Sequence, residues 1–387
     1  MKKISLYLMA SLCACSAIVS CGDKDKKDSL IDYPYSTLTP EKQKEKLSDD
    51  AIEFLQALEG LQTNDAFKVL LAFAGSSNNG AAVMPEDESS LRANVVNVLL
   101  ANYYGVWTFN LQTGEWTKTA ATDRAEYNFY TEDGAPAQIV VKATASNLYY
   151  PVETGDPDVS LNYQLPKAIS VKLYSNKKEV GSIAAETELT SLTSIPKLSK
   201  LSFSLGDYSF SASLKKANPN VLTAALKSGK KSLISLNCEL TADLDQALEE
   251  DSEVIPEKVN ITYTLLDKLA FVGTSDITKA MTEIAAINEK AEKQELTAEQ
   301  ALAATNKVYA DNVKVALVSL TDKTKIASLK VLSYYTELGS LDTKFWLVFN
   351  DQTEVEAAVY FSEGFDQVTA ALNALMASFI PQTEETE

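Results

Sequence analysis

The side chains of this chain that could do chemistry are mostly carboxylates and aromatic rings. Asp156 and Asp158, in the sequence Gly155-Asp-Pro-Asp158, could be the acid pair of a glycosidase or ligands of a metal ion, and their spacing also fits a proline-containing loop. The chain has no histidine, which excludes Ser-His-Asp and Cys-His catalytic sites and zinc held by imidazole. This composition leaves carboxylate chemistry, or binding without catalysis, as the open functions.

Other catalytic motifs are missing from the sequence. It contains no Gly-rich phosphate loop and no GxSxG, HExxH or CxxC pattern. Its only arginines are Arg92 and Arg124, which disfavours a site built on bidentate clamps for phosphate or carboxylate. The acidic residues 249–256 fit a solvated linker or a calcium loop, but they lack EF-hand spacing. We therefore predict no catalytic residue, no metal ligand and no cofactor, and we expect a non-enzymatic protein.

The region between residues 103 and 150 is dense in aromatic residues. Aromatic rings exposed on the sheets of secreted proteins can stack against sugar rings, but aromatic residues are also common in strands that fill a core. Trp107 alternates in phase with Phe109 and is expected in the core. Tyr149 and Tyr150 lie next to a loop and are expected to be exposed. We predict Trp116, Tyr149 and Tyr150 as glycan-binding residues.

The net charge restricts the partners of the protein. The formal charge is -18, and it becomes more negative if Lys2 and Lys3 leave with a leader. Nucleic acids and anionic membrane surfaces bind positively charged protein surfaces, so the negative net charge argues against both as partners.

The N-terminus reads as a secretory leader that ends at a cysteine. Lys2 and Lys3 precede an apolar run over residues 4–19, which is too short to span a bilayer as a mature helix and predicts a signal peptide over residues 1–20. The junction Ile18-Val19-Ser20-Cys21 resembles the lipobox of bacterial lipoproteins. That resemblance implies that Cys21 becomes the N-terminus and carries lipid, palmitate among its acyl chains, which fix the protein to a membrane.

The chain as a whole resembles outer-membrane and surface lipoproteins of the Bacteroidetes type, a resemblance that implies no particular activity. It implies an address at the bacterial outer membrane, on the cell surface or on the periplasmic face. Residues 21–36 begin with mixed acids and lysines and are predicted to be a lipidated flexible tether. An acidic stretch after the lipidated cysteine resembles a surface-export signal, but the interleaved lysines leave the orientation open.

Cys238 is the one cysteine beyond the leader and the lipid site, so no disulfide within the mature chain is possible. It alternates in phase with Leu236 and Leu240 and is predicted to be a buried thiol rather than a reactive nucleophile.

The remaining pattern predicts an α+β fold, predominantly an antiparallel β-sheet meander with amphipathic helices at the N-terminus, mid-chain and C-terminus. We predict N-terminal helices plus antiparallel sheet over residues 37–248, a second α+β half over residues 257–380, and a disordered acidic tail over residues 381–387. Asn218-Pro219 predicts a short helix ending at Gly229, with a hairpin as the alternative. The last helix, from Phe365, is predicted to cover the strand that begins near Phe345.

Three hypotheses follow from the sequence. The first is a lipid-anchored, non-enzymatic envelope protein that binds a glycan or a protein partner through the sheet and its loops. The second is a carboxylate-dependent polysaccharide hydrolase, which would need two carboxyl groups in a cleft. The third is a carrier of an apolar ligand, which would need an enclosed apolar cavity.

Overall fold

The computed structural model describes residues 30–61, 63–73, 104–153, 160–248, 254–336, 341–362 and 365–378. The chain forms a sheet-rich α+β fold with mostly antiparallel strands, which confirms the predicted fold class at that level. It divides into two compact units. The β1–β8 unit comprises Leu58–Lys215, Lys227–Gly229 and Leu375–Glu387, and the β9–β16 unit comprises Met1–Ala57, Lys216–Leu226 and Lys230–Ala374.

Several sequence predictions lie outside the described residues. They are the leader, the lipobox with Cys21, a helix predicted over residues 91–103, the Asp156 and Asp158 pair, the acidic residues 249–253 and the C-terminal tail.

The β1–β8 unit contains eight described strands and one α-helix, α2 (Asp65–Phe73). The strands are β1 (Gly105–Asn110), β2 (Glu115–Thr119), β3 (Ala125–Tyr130), β4 (Pro136–Glu153), β5 (Ser160–Ser175), β6 (Lys178–Thr187), β7 (Leu198–Leu205) and β8 (Tyr208–Lys215). Their order in the sheet is β8-β7-β6-β5-β4-β3-β1-β2.

Tight turns set the register of these strands, as predicted. Asn176 and Lys177 have φ of 50° and 66°, which suits a two-residue hairpin turn, and they place Tyr174 opposite Glu179. A register shift next to Tyr174 then places Leu173 opposite Gly181. Gly206 places Leu205 opposite Tyr208 in the same way. One pairing departs from the predicted meander, because β3 pairs with β1 in parallel rather than with β2.

The core of this unit lies between α2 and one face of the sheet. Ala66 and Val69 of α2 are fully buried against Leu173 and Phe129. The approach is close at Gly181, where an added Cβ would lie 2.9 Å from the Cβ of Ala66. Because strand residues alternate between faces, the opposite face of the sheet carries the polar side chains.

The β9–β16 unit contains the other eight described strands. They are β9 (Asn220–Ser228), β10 (Lys231–Thr241), β11 (Lys258–Leu265), β12 (Leu269–Asp276), β13 (Val313–Ser319), β14 (Thr324–Tyr335), β15 (Leu341–Val348) and β16 (Glu354–Glu356). They are neighbours in chain order. The described helices are α1 (Pro40–Leu58), α3 (Ile277–Glu292), α4 (Ala298–Asn312), α5 (Ala357–Ser362) and α6 (Asp366–Ser378).

The helix starts follow local capping. The sequence Thr297-Ala-Glu-Gln300 predicts a capping box, and it is present, since the Thr297 side chain accepts from the Gln300 N–H and the Gln300 side chain accepts from the Thr297 N–H. Asp276 caps α3 by accepting from the Lys279 N–H. Cys238 is buried in β10, as predicted.

The helix predicted after Asn218-Pro219 is wrong, and the alternative hairpin is correct. Residues 220–228 form β9, and Gly229, with φ of 56°, makes the turn into β10 instead of ending a helix. The side chain of Asn220 is buried and donates to the carbonyl oxygens of Leu240 (3.3 Å) and Ala242 (2.8 Å). These bonds fix the start of the strand, which local propensity did not reveal.

Residues 354–361, whose alternation predicts a strand, are also mostly helix. Only β16 is extended, and α5 follows it directly. It is α5 that contacts β15, and its Tyr360 packs against Phe349, the residue after β15, with ring centres 5.4 Å apart. The apolar spacing of the last helix predicts a stripe from Phe365 to Phe379. Of this stripe, Phe365 packs on the same cluster, and the side chains of Leu372 and of the residues from 374 onward lie outside the described residues.

The last residues of the predicted tether are packed on the sheet, and we call residues 30–36 the strap. Leu30, Ile31 and Tyr33 contact the cluster formed by β12 and β13. Tyr35 forms a β-bridge to Lys325, and its hydroxyl lies 2.8 Å from Ser328 Oγ.

Candidate functional site

Trp116 belongs to the aromatic layer on the core face of the β1–β8 unit. It is half-buried on β2, and its ring centre lies 5.3 Å from that of Phe109 and 6.1 Å from that of Tyr127. Phe73 of α2 contacts the same Tyr127 at 5.0 Å. The Trp116 ring is therefore packed between other aromatic rings instead of forming a free platform.

Tyr149 is 52% exposed, as predicted, but it lies within β4, paired with Gln164 of β5, instead of next to a loop. Tyr150 pairs with Tyr163 on β5, and its side chain lies outside the described residues. Trp116 is in register with Ala137 of β4 through Phe109 and Phe129, whereas Tyr149 lies roughly 35–40 Å further along that strand. The structure does not bring Trp116 together with the two tyrosines.

The opposite face of the same sheet carries a continuous line of polar side chains that crosses the strands, which we call the polar row. Its members lie directly opposite one another on six neighbouring strands, β2, β1, β3, β4, β5 and β6. They are Thr117, Thr108, Asn128, Gln138, Tyr174 and Glu179. The row exists because these residues alternate with core residues such as Phe109, Phe129 and Ala137.

A hydrogen-bonded network holds the centre of the polar row. Asn128 Nδ2 donates to Glu126 Oε1 (3.2 Å), and Gln138 Nε2 donates both to Glu126 Oε1 (3.0 Å) and to Asn128 Oδ1 (2.9 Å). The other oxygen of Glu126 accepts from Arg124 Nε at 2.8 Å. The Arg124 guanidinium also donates from Nη1 to Asp123 Oδ1 at 2.9 Å. Both amides are therefore fixed in orientation without a ligand.

The network keeps Glu126 ionised. Partial burial acts to raise the pKa of its carboxyl, but the hydrogen bonds from Arg124 and Asn128 outweigh burial and lower the pKa below its usual value. The hydrogen bond to Glu126 in turn raises the pKa of the Arg124 guanidinium. At neutral pH the centre of the row thus contains a fixed ion pair.

The fixed amides still have hydrogen-bonding groups to offer. Gln138 Oε1 accepts no described hydrogen bond, and one N–H of the Asn128 amide has no described partner. Asn128, Gln138 and Tyr174 are half-buried, while Thr108 and Thr117 are exposed. A donor, an acceptor and a tyrosine ring therefore lie side by side on an accessible, preorganised surface, which is chemistry that suits sugar hydroxyl groups.

A cleft of about 530 Å³ lies in the β9–β16 unit, beside α1, β16, α5 and α6. Its charged and aromatic lining comprises Glu41, Glu45, Asp49, Asp366, Lys44 and Tyr360. Lys44 Nζ lies 4.7 Å from the centre of the Tyr360 ring, and the Tyr360 hydroxyl donates to the Pro40 carbonyl at 2.9 Å. Burial, followed by the charge of Glu41, raises the pKa of Tyr360. This cleft is acidic and open, unlike the enclosed apolar cavity that a carrier needs.

Among the described residues, no cysteine, aspartate and glutamate side chains form a group of three or more that could hold a metal ion. No helix among them has the length and apolar composition needed to cross a bilayer. Comparisons of the chain with known protein families, with curated proteins and with solved structures found no match.

Proposed function

We propose that this chain is a lipid-anchored protein of a bacterial cell envelope that binds a glycan, without cleaving it, through the polar row. The observation that supports the proposal is the network of Arg124, Glu126, Asn128 and Gln138, which fixes two amides on an accessible sheet face. Amides held in this way can form paired hydrogen bonds with neighbouring hydroxyl groups without first losing side-chain freedom. The lipobox resemblance at Cys21 supports the envelope location.

The proposal is tested by binding to a glycan array with the detergent-solubilised mature chain and its variants. Gln138→Ala removes an acceptor for the ligand and two bonds of the network, so we expect about tenfold weaker binding, which corresponds to a loss of about 1.4 kcal/mol. Gln112→Ala makes the same change at an exposed residue of the β1–β2 turn and should bind like the parent chain.

Other outcomes would point elsewhere. Equal binding by Gln138→Ala and the parent chain, with a loss in Tyr149→Ala, would move the site to the originally predicted tyrosines. Shortened glycans after incubation would favour the carboxylate-dependent hydrolase, with the acidic cleft as the place to look. No binding to any glycan would refute the proposal and favour a protein partner.

A further inference from the structure

The chemistry around the polar row also indicates which glycans fit it. We infer, on the basis of the proposed function, that the ligand is a neutral, linear polysaccharide. It lies across the strands, so that successive sugar units contact successive strands. The inference depends on the charge balance of the face and on the spacing of the row.

Each cation around the row has a carboxylate partner. Arg124 is paired with Asp123 and Glu126, with N···O distances of 2.9 and 2.8 Å. Lys142 lies 3.8 Å from Asp123, and Lys172 forms a 2.7 Å pair with Glu179.

None of these three cations is left without a carboxylate. Uronate or sulfate groups would have to break one of these pairs to find a cation, in a chain whose formal charge is already -18. Hydroxyl groups, in contrast, find the free acceptor of Gln138 and the free donor of Asn128. A neutral glycan is therefore favoured over an anionic one.

The spacing of the row fits an extended sugar chain. Neighbouring strands lie about 4.8 Å apart, so the six members span about 24 Å. One sugar unit of an extended pyranose chain is about as long as the distance between two neighbouring strands, so each unit can contact one side chain. The central three members, Asn128, Gln138 and Tyr174, would hold about three units. Thr108 and Thr117 extend the contact on the side of β1 and β2.

The test is calorimetric titration of the detergent-solubilised mature chain with β-1,4-linked gluco-oligosaccharides of increasing length. Affinity should rise with length until the row is filled, at about five or six units, and then level off. β-1,4-Linked oligoglucuronates of the same lengths, which carry a carboxylate at C6, supply the matched anionic probe and should bind at least tenfold more weakly.

A variant at the end of the row sharpens the test. Thr108→Val removes one hydroxyl at nearly constant shape, on an exposed residue outside the central network. It should weaken binding of the hexamer by about threefold to tenfold, the range for one hydrogen bond, and leave binding of the trimer unchanged.

The outcomes separate this inference from the proposed function. Preference for the oligoglucuronates, affinity that does not grow with length, or equal effects of Thr108→Val on trimer and hexamer would each overturn the inference while leaving glycan binding in place. Failure of every neutral and anionic glycan to bind would overturn both.

Discussion

Glu126 is the residue on which the geometry of the polar row depends. Its carboxylate accepts from the side chains of Arg124, just before β3, Asn128 of β3 and Gln138 of β4. Loss of its charge would leave Arg124 without one of its two carboxylate partners and would leave the two amides held only by the bond from Gln138 Nε2 to Asn128 Oδ1. A residue that need not touch the ligand would then govern its affinity.

Replacing Glu126 by glutamine is expected to lower the free energy of unfolding by about 1 kcal/mol at pH 7, a modest value because the site is partly exposed. The folded-state pKa of Glu126 is lowered, so its contribution is complete above the unfolded value of about 4.3 and is lost as the pH falls through the folded value. Urea unfolding of both proteins between pH 7 and 3 checks this.

The gap between the two proteins should be constant down to about pH 5 and should close in acid. Glu132→Gln, at an exposed residue in the turn of the same hairpin, serves as the control and should be neutral at pH 7. A gap that widens in acid would contradict the assignment.

Individual residues show what the sequence could and could not predict about the site. Burial of Cys238 was predictable from strand parity and is confirmed, and the exposure predicted for Tyr149 is also found, although on a strand. The place of Trp116 was not, because its partners come from β1 and β3. The amides at Asn128 and Gln138 could have been found, since the predicted β3–β4 hairpin places them opposite each other on the polar parity.

Among the elements, α1 ties together the turns of three hairpins in the β9–β16 unit. Lys46 pairs with Asp322 after β13, Asp50 with Lys268 after β11, and Glu53 with both Lys268 and Lys231. Beneath these pairs, Leu47 is buried among residues of β12, β14 and β15. The helix therefore contacts and stabilises strands that are far apart in the chain.

Leu47→Ala is expected to cost about 2–4 kcal/mol of unfolding free energy, because it leaves a cavity in a cluster that cannot fully collapse. Urea denaturation, followed by hydrogen exchange of β14 and β15, measures the loss. Gln56→Ala, at an exposed residue of the same helix, should change stability by less than about 0.5 kcal/mol. A Leu47→Ala effect as small as that of the control would show that the packing of Leu47 against β12, β14 and β15 does not stabilise the unit.

Elements were most predictable where a short turn links two alternating strands, as at Asn176-Lys177 and Gly206. They were least predictable where a distant contact decides. Asn220 starts β9 through bonds to carbonyl groups at the end of β10 and just after it, and the parallel β1–β3 pair leaves no mark in the sequence of either strand. The local sequence pattern predicts the pairing of two strands joined by a short turn. It does not predict which edge of the sheet a later strand, such as β3, will join.

For the whole molecule, the strap and the proposed lipid at Cys21 together define the attachment. Residues 22–29 separate Cys21 from Leu30, and even fully extended they span at most about 30 Å. Because Leu30 is packed on the sheet, a lipidated Cys21 would hold the folded body close to the membrane.

Cys21→Ser is expected to move the protein from the detergent phase to the aqueous phase in a Triton X-114 partition, since the acyl chains provide the stable anchoring. Cys238→Ser, which changes the buried cysteine, is the matched control and should stay in the detergent phase. Retention of the Cys21→Ser protein with detergent would refute the lipid anchor.

The position of α1 also affects the order in which the β9–β16 unit can assemble. Most of its strands pair with the next strand in the chain, so they can zip together through short loops as they become available. The helix is made before all of them, yet the residues that bury Leu47 come from positions 269–360. The apolar side chains of α1 therefore stay exposed until nearly the whole polypeptide has been synthesised. We expect a chaperone that shields apolar segments to bind α1 during that time.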